Sequence, residues 1–388
     1  MKTHHGTRPK VALFATQFGA YSQTFIYDEV TRHRAYDVEV FARNRENPEI
    51  FRCDDVHALA PYHSASEWAE WMLYGATTLS PRFMRRIRSG EFSLLHAHFG
   101  PGSIYALPYQ AAADLPLVVT FHGYDVPLLS TSRRFSPKYW RYWALSKLML
   151  RRVTRFLAAS NELHDQLIEL GAPPRRVHVW RLGVEIPPLH AVPAGRNGTQ
   201  VLIVGRFVEK KGIEYAIEAF ARVVKGGADA RLNIIGDGEL RSAYERIIER
   251  EGIADRVEFL GVMKHGDVLE TMMRMDILMC PSVIASNGDR ESGILVAKEA
   301  GARYLPVIGT IHGGIPEIIE DGRTGFLVPE RDVGALADRL GRLLRSRALR
   351  EEMGEAARKK MEREYDIHQR IDVLEDHYDQ AIAAYRGR

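Results

Sequence analysis

The sequence predicts an α/β fold built from two doubly wound, parallel-sheet domains. Three observations carry that expectation. Short apolar, β-branched runs alternate with longer stretches of helical periodicity along almost the whole chain. The alternation restarts once, after a segment rich in Pro and Gly. The 388 residues exceed what one ordinary hydrophobic core organises and suit two domains of about 150–200 residues each.

In chain order, the strand candidates of the first half are KVALFAT, YDVEVFAR, SLLHAHF, LVVTFHG, RFLAAS and VHVWRLG. The segment PPLHAVPAGRNGT, around residues 187–199, reads as the linker. The second half follows with QVLIVGR, RLNIIG, RVEFLG, DILMCP, YLPVIG and a short GFLV. Helical patterns such as GIEYAIEAFARVV and GELRSAYERIIEREG lie between them. The expected domains are residues 1–187 and 188–367. The last stretch is helical by periodicity, and its final part, about 368–388, is expected to cross back to the first domain. Open parallel sheets bind ligands beyond the carboxyl ends of their strands, where loops meet helix N-termini. Two such sheets facing each other make a cleft. The chemistry is therefore sought in the loops that directly follow strands.

Composition narrows the classes. Apolar residues make up 45% and charged residues 27%, as in ordinary soluble proteins. No apolar run approaches the ~20 residues needed to span a bilayer. The first ten residues, MKTHHGTRPK, lack a signal-peptide pattern. A net charge of +3 gives no argument for nucleic acid. Cys53 and Cys280 lie far apart in sequence, which suggests two free thiols in a reducing cytoplasm and no zinc site.

The strand QVLIVG runs into RFVEKKG and then a helix starting near Ile213. Arg206 and Lys211 flank that turn, beside a helix N-terminus whose N–H groups attract anions. Two cations suit a pyrophosphate leaving group and need no metal. The bland alternative is a solvated surface loop. After DILMCP comes SVIASNGDRESGILVAKEAGA, with a helix expected near Gly293. Glu291 falls in the loop before it and Glu299 about two turns in. A carboxylate accepts two hydrogen bonds from a diol, as on ribose. The amides of Gly293, Ile294 and Leu295 stand where a phosphate is capped.

In the first half, the loop QFGAYSQTFI offers Gly19 for close backbone approach to phosphate. Its Ser22 and Thr24 hydroxyls read as N-caps ahead of acceptor contacts. His96 and His98 share one face of a strand, and no third metal ligand is evident. His98 and His122 each end a strand. Asp125 in HGYDV either positions an acceptor hydroxyl or caps its own turn. Trp68, Trp71, Trp140 and Trp143 lie close to Arg85, Arg86, Arg141, Lys147, Arg151 and Arg152. That combination fits either an anionic membrane interface or a core-facing aromatic stripe with a basic back.

The motifs VGRF-x3-KG, IIGDGELR, FLGVM, the Glu291/Glu299 pair, EAGA-x3-PVIGT-x2-GGIPEII-x-DGRTGFLV and MGEAAR together resemble glycosyltransferase family 4. The resemblance is most specific over residues 201–365. HAHFG followed by VVTFHGYD is similar to bacterial members of the exopolysaccharide and lipopolysaccharide branch. It implies a GT-B fold of two Rossmann-like domains and a retaining, metal-independent transfer from a nucleotide-diphosphate sugar, UDP- or GDP-linked. It also implies residue roles. Arg206 and Lys211 match the pyrophosphate cations, Glu299 the ribose ligand and Glu291 the residue beside the donor sugar. Asp237 and Gly238 match the loop near the nucleoside, and Val262 and Met263 the turn that meets the base. His122 matches the histidine that touches the donor sugar's primary hydroxyl. The sequence departs from relatives at Ser292, Gly293 and Ile294, and at Arg303, Tyr304 and Leu305. The resemblance implies that those loops line the donor-sugar pocket.

The leading expectation is a cytoplasmic hexosyltransferase acting on a saccharide or lipid-linked acceptor, with no cofactor beyond its donor and with peripheral membrane contact through the N-terminal domain. With no confident carboxylate nucleophile in sight, a front-face route is expected, in which the departing phosphate takes the acceptor proton. A small soluble acceptor, such as a cyclitol or antibiotic precursor, is the alternative within that class. An epimerase and a nucleotide-sugar-binding protein without turnover are the alternatives outside it.

Overall fold

The computed structural model describes residues 8–131, 136 and 139–387, without the side chain of residue 22. The chain divides into two compact units, Met1–Arg181 with His368–Arg388, and Leu182–Ile367.

The first unit holds seven strands: β1 (Lys10–Phe18), β2 (Asp37–Arg45), β3 (Val56–Ala60), β4 (Phe92–His98), β5 (Leu117–Phe121), β6 (Arg155–Ala158) and β7 (Val177–Val179). They pair in parallel in the order β3-β2-β1-β4-β5-β6-β7. Parallel neighbours need crossover helices, which cover both faces of the sheet. Val11, Ala12, Leu13 and Phe14 on β1 are accordingly buried without alternation. The strand β3 is the one missing from the sequence reading. It is an edge strand on which only Leu59 is buried, so its run lacks the apolar continuity of the inner strands.

The helix Ile367–Arg386 adds to this unit by its apolar stripe of Ile371, Leu374, Tyr378 and Ala381, all buried. Its Glu375 accepts the backbone N–H groups of Arg34 and Ala35 at 2.8 and 2.9 Å. Tyr36 donates to Asp379 at 2.6 Å.

The second unit holds β8 (Gln200–Val204), β9 (Arg231–Ile235), β10 (Val257–Gly261), β11 (Ile277–Cys280), β12 (Val307–Thr310) and β13 (Gly325–Val328). Their order is β10-β9-β8-β11-β12-β13, again parallel throughout. The segment read as the linker is fastened to this unit. Arg196 donates to the carbonyls of Met272, Met273, Arg303 and Tyr304, and Gly198 N–H donates to Asp276. An arginine with four carbonyl acceptors ties down a backbone that its Pro and Gly content leaves without a ladder of its own.

Both sheets reverse their winding direction once, between β1 and β4 and between β8 and β11. At such a switch point the flanking loops diverge and leave a crevice at the strands' carboxyl ends. No helix among the described residues is long and apolar enough to cross a membrane.

Candidate functional site

In the second unit, the residues singled out by sequence collect at the carboxyl end of the sheet. Past β8, Arg206 is exposed, and the turn Glu209–Lys211 leads through Gly212 into the helix Ile213–Lys225. Lys211 Nζ lies 3.0 Å from Glu291 Oε1. Lys210 Nζ stands 3.4 Å from the same oxygen and 3.4 Å from Asp289 Oδ1. Burial alone would push the Glu291 carboxyl up. Lys211 and then Lys210 outweigh it and hold the group down at about 2. Glu291 is therefore a charged acceptor at every physiological pH.

Its backbone is held as firmly as its side chain. Glu291 N–H donates to His312 Nε2 at 3.0 Å, and His312 Nδ1 lies 2.7 Å from Glu330 Oε1. An Nε2 that accepts requires the proton on Nδ1, and the Glu330 carboxylate receives it. Glu330 Oε2 in turn accepts Ile284 N–H at 2.9 Å. One buried imidazole thus pins three loops at the ends of β11, β12 and β13.

Glu299 lies on the helix Leu295–Gly301, which begins two residues later than expected. Extended backbone at Ile294 delays the start, while Ser292 and Ile294 are buried and Gly293 is half-buried. Glu299 Oε1 is 2.7 Å from His265 Nε2. At the end of β9, Asp237 and Gly238 are exposed, and Gly238 N–H donates to the Asp237 carboxylate. A side chain at Gly238 would collide with the Phe207 backbone at 2.7 Å, so this loop can close on the Arg206 turn only through glycine. After β10, Val262 is 74% exposed and Met263 is half-buried. Lys210, His265, His312 and Glu330 were not singled out by sequence. His312 alone carried a readable cue, since it follows a strand end in TIHGG.

In the first unit, the loop after β1 contains Gly19 at φ +86°, where a Cβ would lie 2.1 Å from the Glu46 carbonyl. Neighbouring backbone therefore already demands this glycine. The expected N-cap at Thr24 is not formed. A 3-10 turn, Tyr21–Gln23, runs straight into the helix Thr24–Val30, so no side chain caps that end. The Ser22 side chain lies outside the described residues.

His98 ends β4 fully buried, and its Nδ1 lies 3.0 Å from Nε2 of His122, the residue after β5. The His122 ring centroid lies 4.6 Å from those of Phe25 and Phe99. Asp125 is wholly buried, and its Oδ2 accepts His122 N–H at 3.0 Å, which is the turn-capping arrangement.

His96 also points inward, with Nε2 2.8 Å from Thr120 Oγ1 and Nδ1 2.7 Å from the Tyr378 hydroxyl. A third side chain that the sequence did not make evident lies beside His96 and His98. Glu29, on the sheet-facing side of the helix Thr24–Val30, brings its Oε1 within 3.2 and 3.3 Å of them. Burial pushes the Glu29 carboxyl up, but His98 and His96 pull it further down, well below the usual range. Burial depresses His96 to about 4.

Trp68, Trp140 and Trp143 are exposed by about half their surface (47%, 58% and 52%), with Met72 and Leu148 beside them in sequence. Only Trp71 turns inward, under the Arg43 guanidinium. The core-facing stripe thus holds for one tryptophan of the four. Residues 132–135 and 137–138 of the adjoining basic stretch lie outside the described residues.

Comparison with known proteins bears on the whole chain. Residues 191–360 match the family described as glycosyl transferases group 1, and residues 29–186 match glycosyltransferase family 4. The colanic acid biosynthesis glycosyltransferase WcaL of Salmonella typhimurium is 31% identical over 253 residues, which span 64% of this chain and 61% of that protein. The alpha-D-kanosaminyltransferase of Streptomyces kanamyceticus is 34% identical over 71% of this chain and 74% of its own length. The amylovoran biosynthesis glycosyltransferase AmsK of Erwinia amylovora is 28% identical over 94% and 99%. Among solved structures, Anabaena HepE in complex with UDP and glucose superposes with a TM-score of 0.75 at 18% identity, covering 96% of this chain and all of that one. That likeness establishes the fold as GT-B, two Rossmann-like domains.

Proposed function

The chain belongs to the glycosyltransferases of group 1 and family 4, and from that premise we propose that it moves a hexose-type sugar from a UDP- or GDP-sugar to a hydroxyl of a saccharide or lipid-linked acceptor, with retention of configuration, in cell-surface polysaccharide synthesis. The observation that carries this reading is the Lys211–Glu291 pair at the β8/β11 switch point. A cation there, paired with a carboxylate, is the group that an incoming diphosphate recruits. Arg206, exposed on the same turn, is the second. Their joint role is to stabilise negative charge on the departing diphosphate as the glycosidic bond breaks. Glu299 accepts the ribose hydroxyls, with His265 already bonded to one of its oxygens. Glu291, held ionised, accepts from hydroxyls of the donor sugar. Asp237, Gly238, Val262 and Met263 are assigned to the nucleoside end, and His122 to the primary hydroxyl of the donor sugar. With two cations supplied by the chain, no metal and no resident cofactor are required.

The exposed tryptophans and the basic helices near them support peripheral contact with an anionic membrane, where a lipid-linked acceptor resides. The deciding experiment is a thermal-shift screen of nucleoside diphosphates and their sugars, followed by product analysis. A ligand that binds only the native state raises the melting temperature. One UDP- or GDP-sugar is expected to stabilise the protein and, with acceptor added, to yield an α-linked product from an α-linked donor. An inverted linkage, or an altered free nucleotide sugar without acceptor, overturns the reading.

A further inference from the structure

Lys210 and Lys211 carry the same charge in different settings. The stem of Lys211 lies over Gly205, the residue after β8, where an added Cβ would stand 3.3 Å from its Cδ and Cε. Lys211 thereby lines the crevice between the ends of β8 and β11, together with Cys280, Ser282 and Ile294. Its ammonium meets Glu291 there at 3.0 Å. Lys210 is built into the loop that follows β11. Its carbonyl accepts Val283 N–H at 2.9 Å, and its ammonium stands 3.4 Å from both Asp289 Oδ1 and Glu291 Oε1. At that separation the attraction is one of charge more than of hydrogen bonding. The preceding Glu209 accepts the Ser286 N–H and hydroxyl, each at 2.7 Å. Turn and loop are thus tied together through Glu209 and Lys210, while Lys211 reaches the crevice.

The Glu291 side chain is only 13% exposed. A diphosphate that draws Lys211 away takes the nearest cation from it. Burial then favours the protonated carboxyl, which gives up part of its capacity to accept from sugar hydroxyls. We propose that the two lysines divide the work: Lys211 turns to the diphosphate, while Lys210, anchored beside Asp289, is a positioning residue that keeps Glu291 ionised and in place for the donor sugar. This rests on the reading above that Lys211 binds the diphosphate and Glu291 the sugar. The groups that act on the Glu291 charge are Lys211 and Lys210 from the turn after β8, His312 from the end of β12 and Cys280 from β11, with Asp289 on its own loop. Burial pushes the Cys280 thiol up to about 12, so it stays neutral. Against burial, Lys211 and then Lys210 do most to hold Glu291 charged. Once Lys211 is engaged elsewhere, that task passes to Lys210.

The test uses the full chain and three variants. UDP and GDP are titrated into each, and turnover is followed with the nucleotide sugar that the thermal-shift screen selects. Lys211→Ala is expected to weaken nucleoside diphosphate binding by about tenfold or more, the scale of one charge-assisted contact. Lys210→Gln is expected to leave that binding within about threefold, since its charge is spent on two carboxylates. Its loss appears in acid instead. In the complex its Glu291 carboxyl rises, so the acid limb of the kcat profile moves to higher pH by about one unit or more. The limb of kcat/KM, which reports the free enzyme, moves less, because Lys211 still faces Glu291 there. Lys210→Arg keeps the charge and is expected to restore the starting profile.

If neither UDP nor GDP binds the starting protein, or Lys211→Ala binds them as tightly, the diphosphate reading falls and this proposal with it. If Lys211→Ala loses that binding and Lys210→Gln loses as much, the division of labour alone falls. An acid limb that stays in place in Lys210→Gln, whether its rate is full or evenly reduced, has the same consequence, because a merely structural role lowers the rate alike at every pH. Lysine Nζ 15N resonances of the unmutated protein give a readout free of variant folding. Adding UDP or GDP is expected to move the Lys211 signal and leave that of Lys210 in place, and equal movement of both overturns the proposal.

Discussion

The two sheets wind alike, yet the groups at their switch points differ in kind. At β8/β11 a carboxylate is balanced by two lysines at a partly open surface. At β1/β4 a carboxylate is balanced by imidazoles that solvent does not reach. On the reading proposed above, the Glu291–Lys211 pair opens to admit a diphosphate, and the β8/β11 switch point serves an anionic leaving group.

The largest expected effect breaks the charged half of this contrast. Lys211→Ala and Arg206→Ala are each expected to lower turnover by roughly 100-fold or more, the scale of losing one donor to a developing anion. Initial rates at saturating donor measure this, and wild-type-like turnover in both variants would remove the diphosphate assignment. The same assay in excess EDTA is expected to run at nearly the untreated rate, and a strict metal requirement would mean that the two cations do not suffice.

A second prediction separates the halves by acid. Burial and the Arg155 charge depress His178 to about 4 and His377 to about 3, and burial depresses His96 to about 4. All three belong to the first unit. A histidine whose folded pKa lies below its unfolded value binds more protons when unfolded. Its contribution is complete above about 6.5 and is lost as pH falls toward 4. Glu291, held at about 2 against an ordinary 4.5, gives stability that persists down to about pH 4.5 and is lost only below it. Hydrogen exchange across a pH series is therefore expected to show β4 and the helix Ile367–Arg386 losing protection between pH 6.5 and 4, while β8 and β11 hold until lower pH. Simultaneous loss in both sheets would erase the distinction.

The same contrast marks what the sequence could disclose. All six strands of the second sheet followed from short apolar runs, the inner ones because strands covered on both faces read as continuous hydrophobic stretches, and the edge strand β10 from Val257, Phe259 and Leu260 although none of its side chains is fully buried. The edge strand β3 did not, with Leu59 its only buried side chain. Arg206 and Lys211 stood out as candidates because they follow β8 closely, and Glu291 and Glu299 because the long loop and helix after β11 carry them. Glu29 did not. It sits on a seven-residue helix whose buried side also carries Ile26 and Val30, and too few turns exist for periodicity to show that a carboxylate faces inward. Lys210 and Asp289 are 79 positions apart, and no local pattern announces such a pair.

The smallest expected effect falls at Val262. An exposed side chain adds little to folding, so Val262→Ala is expected to change stability by less than about 0.5 kcal/mol. Its 74% exposure leaves that surface open for a nucleobase to cover. Covering apolar surface is worth roughly 25 cal/mol per Å², so the lost methyl groups are expected to weaken donor binding by about threefold to tenfold. Since the backbone of the turn keeps its shape, inorganic pyrophosphate should bind both proteins equally. Titration of each ligand separates the terms. Equal weakening toward pyrophosphate would move Val262 from the nucleoside end to the phosphate end of the site, and with it the direction in which the donor lies across β8 to β10.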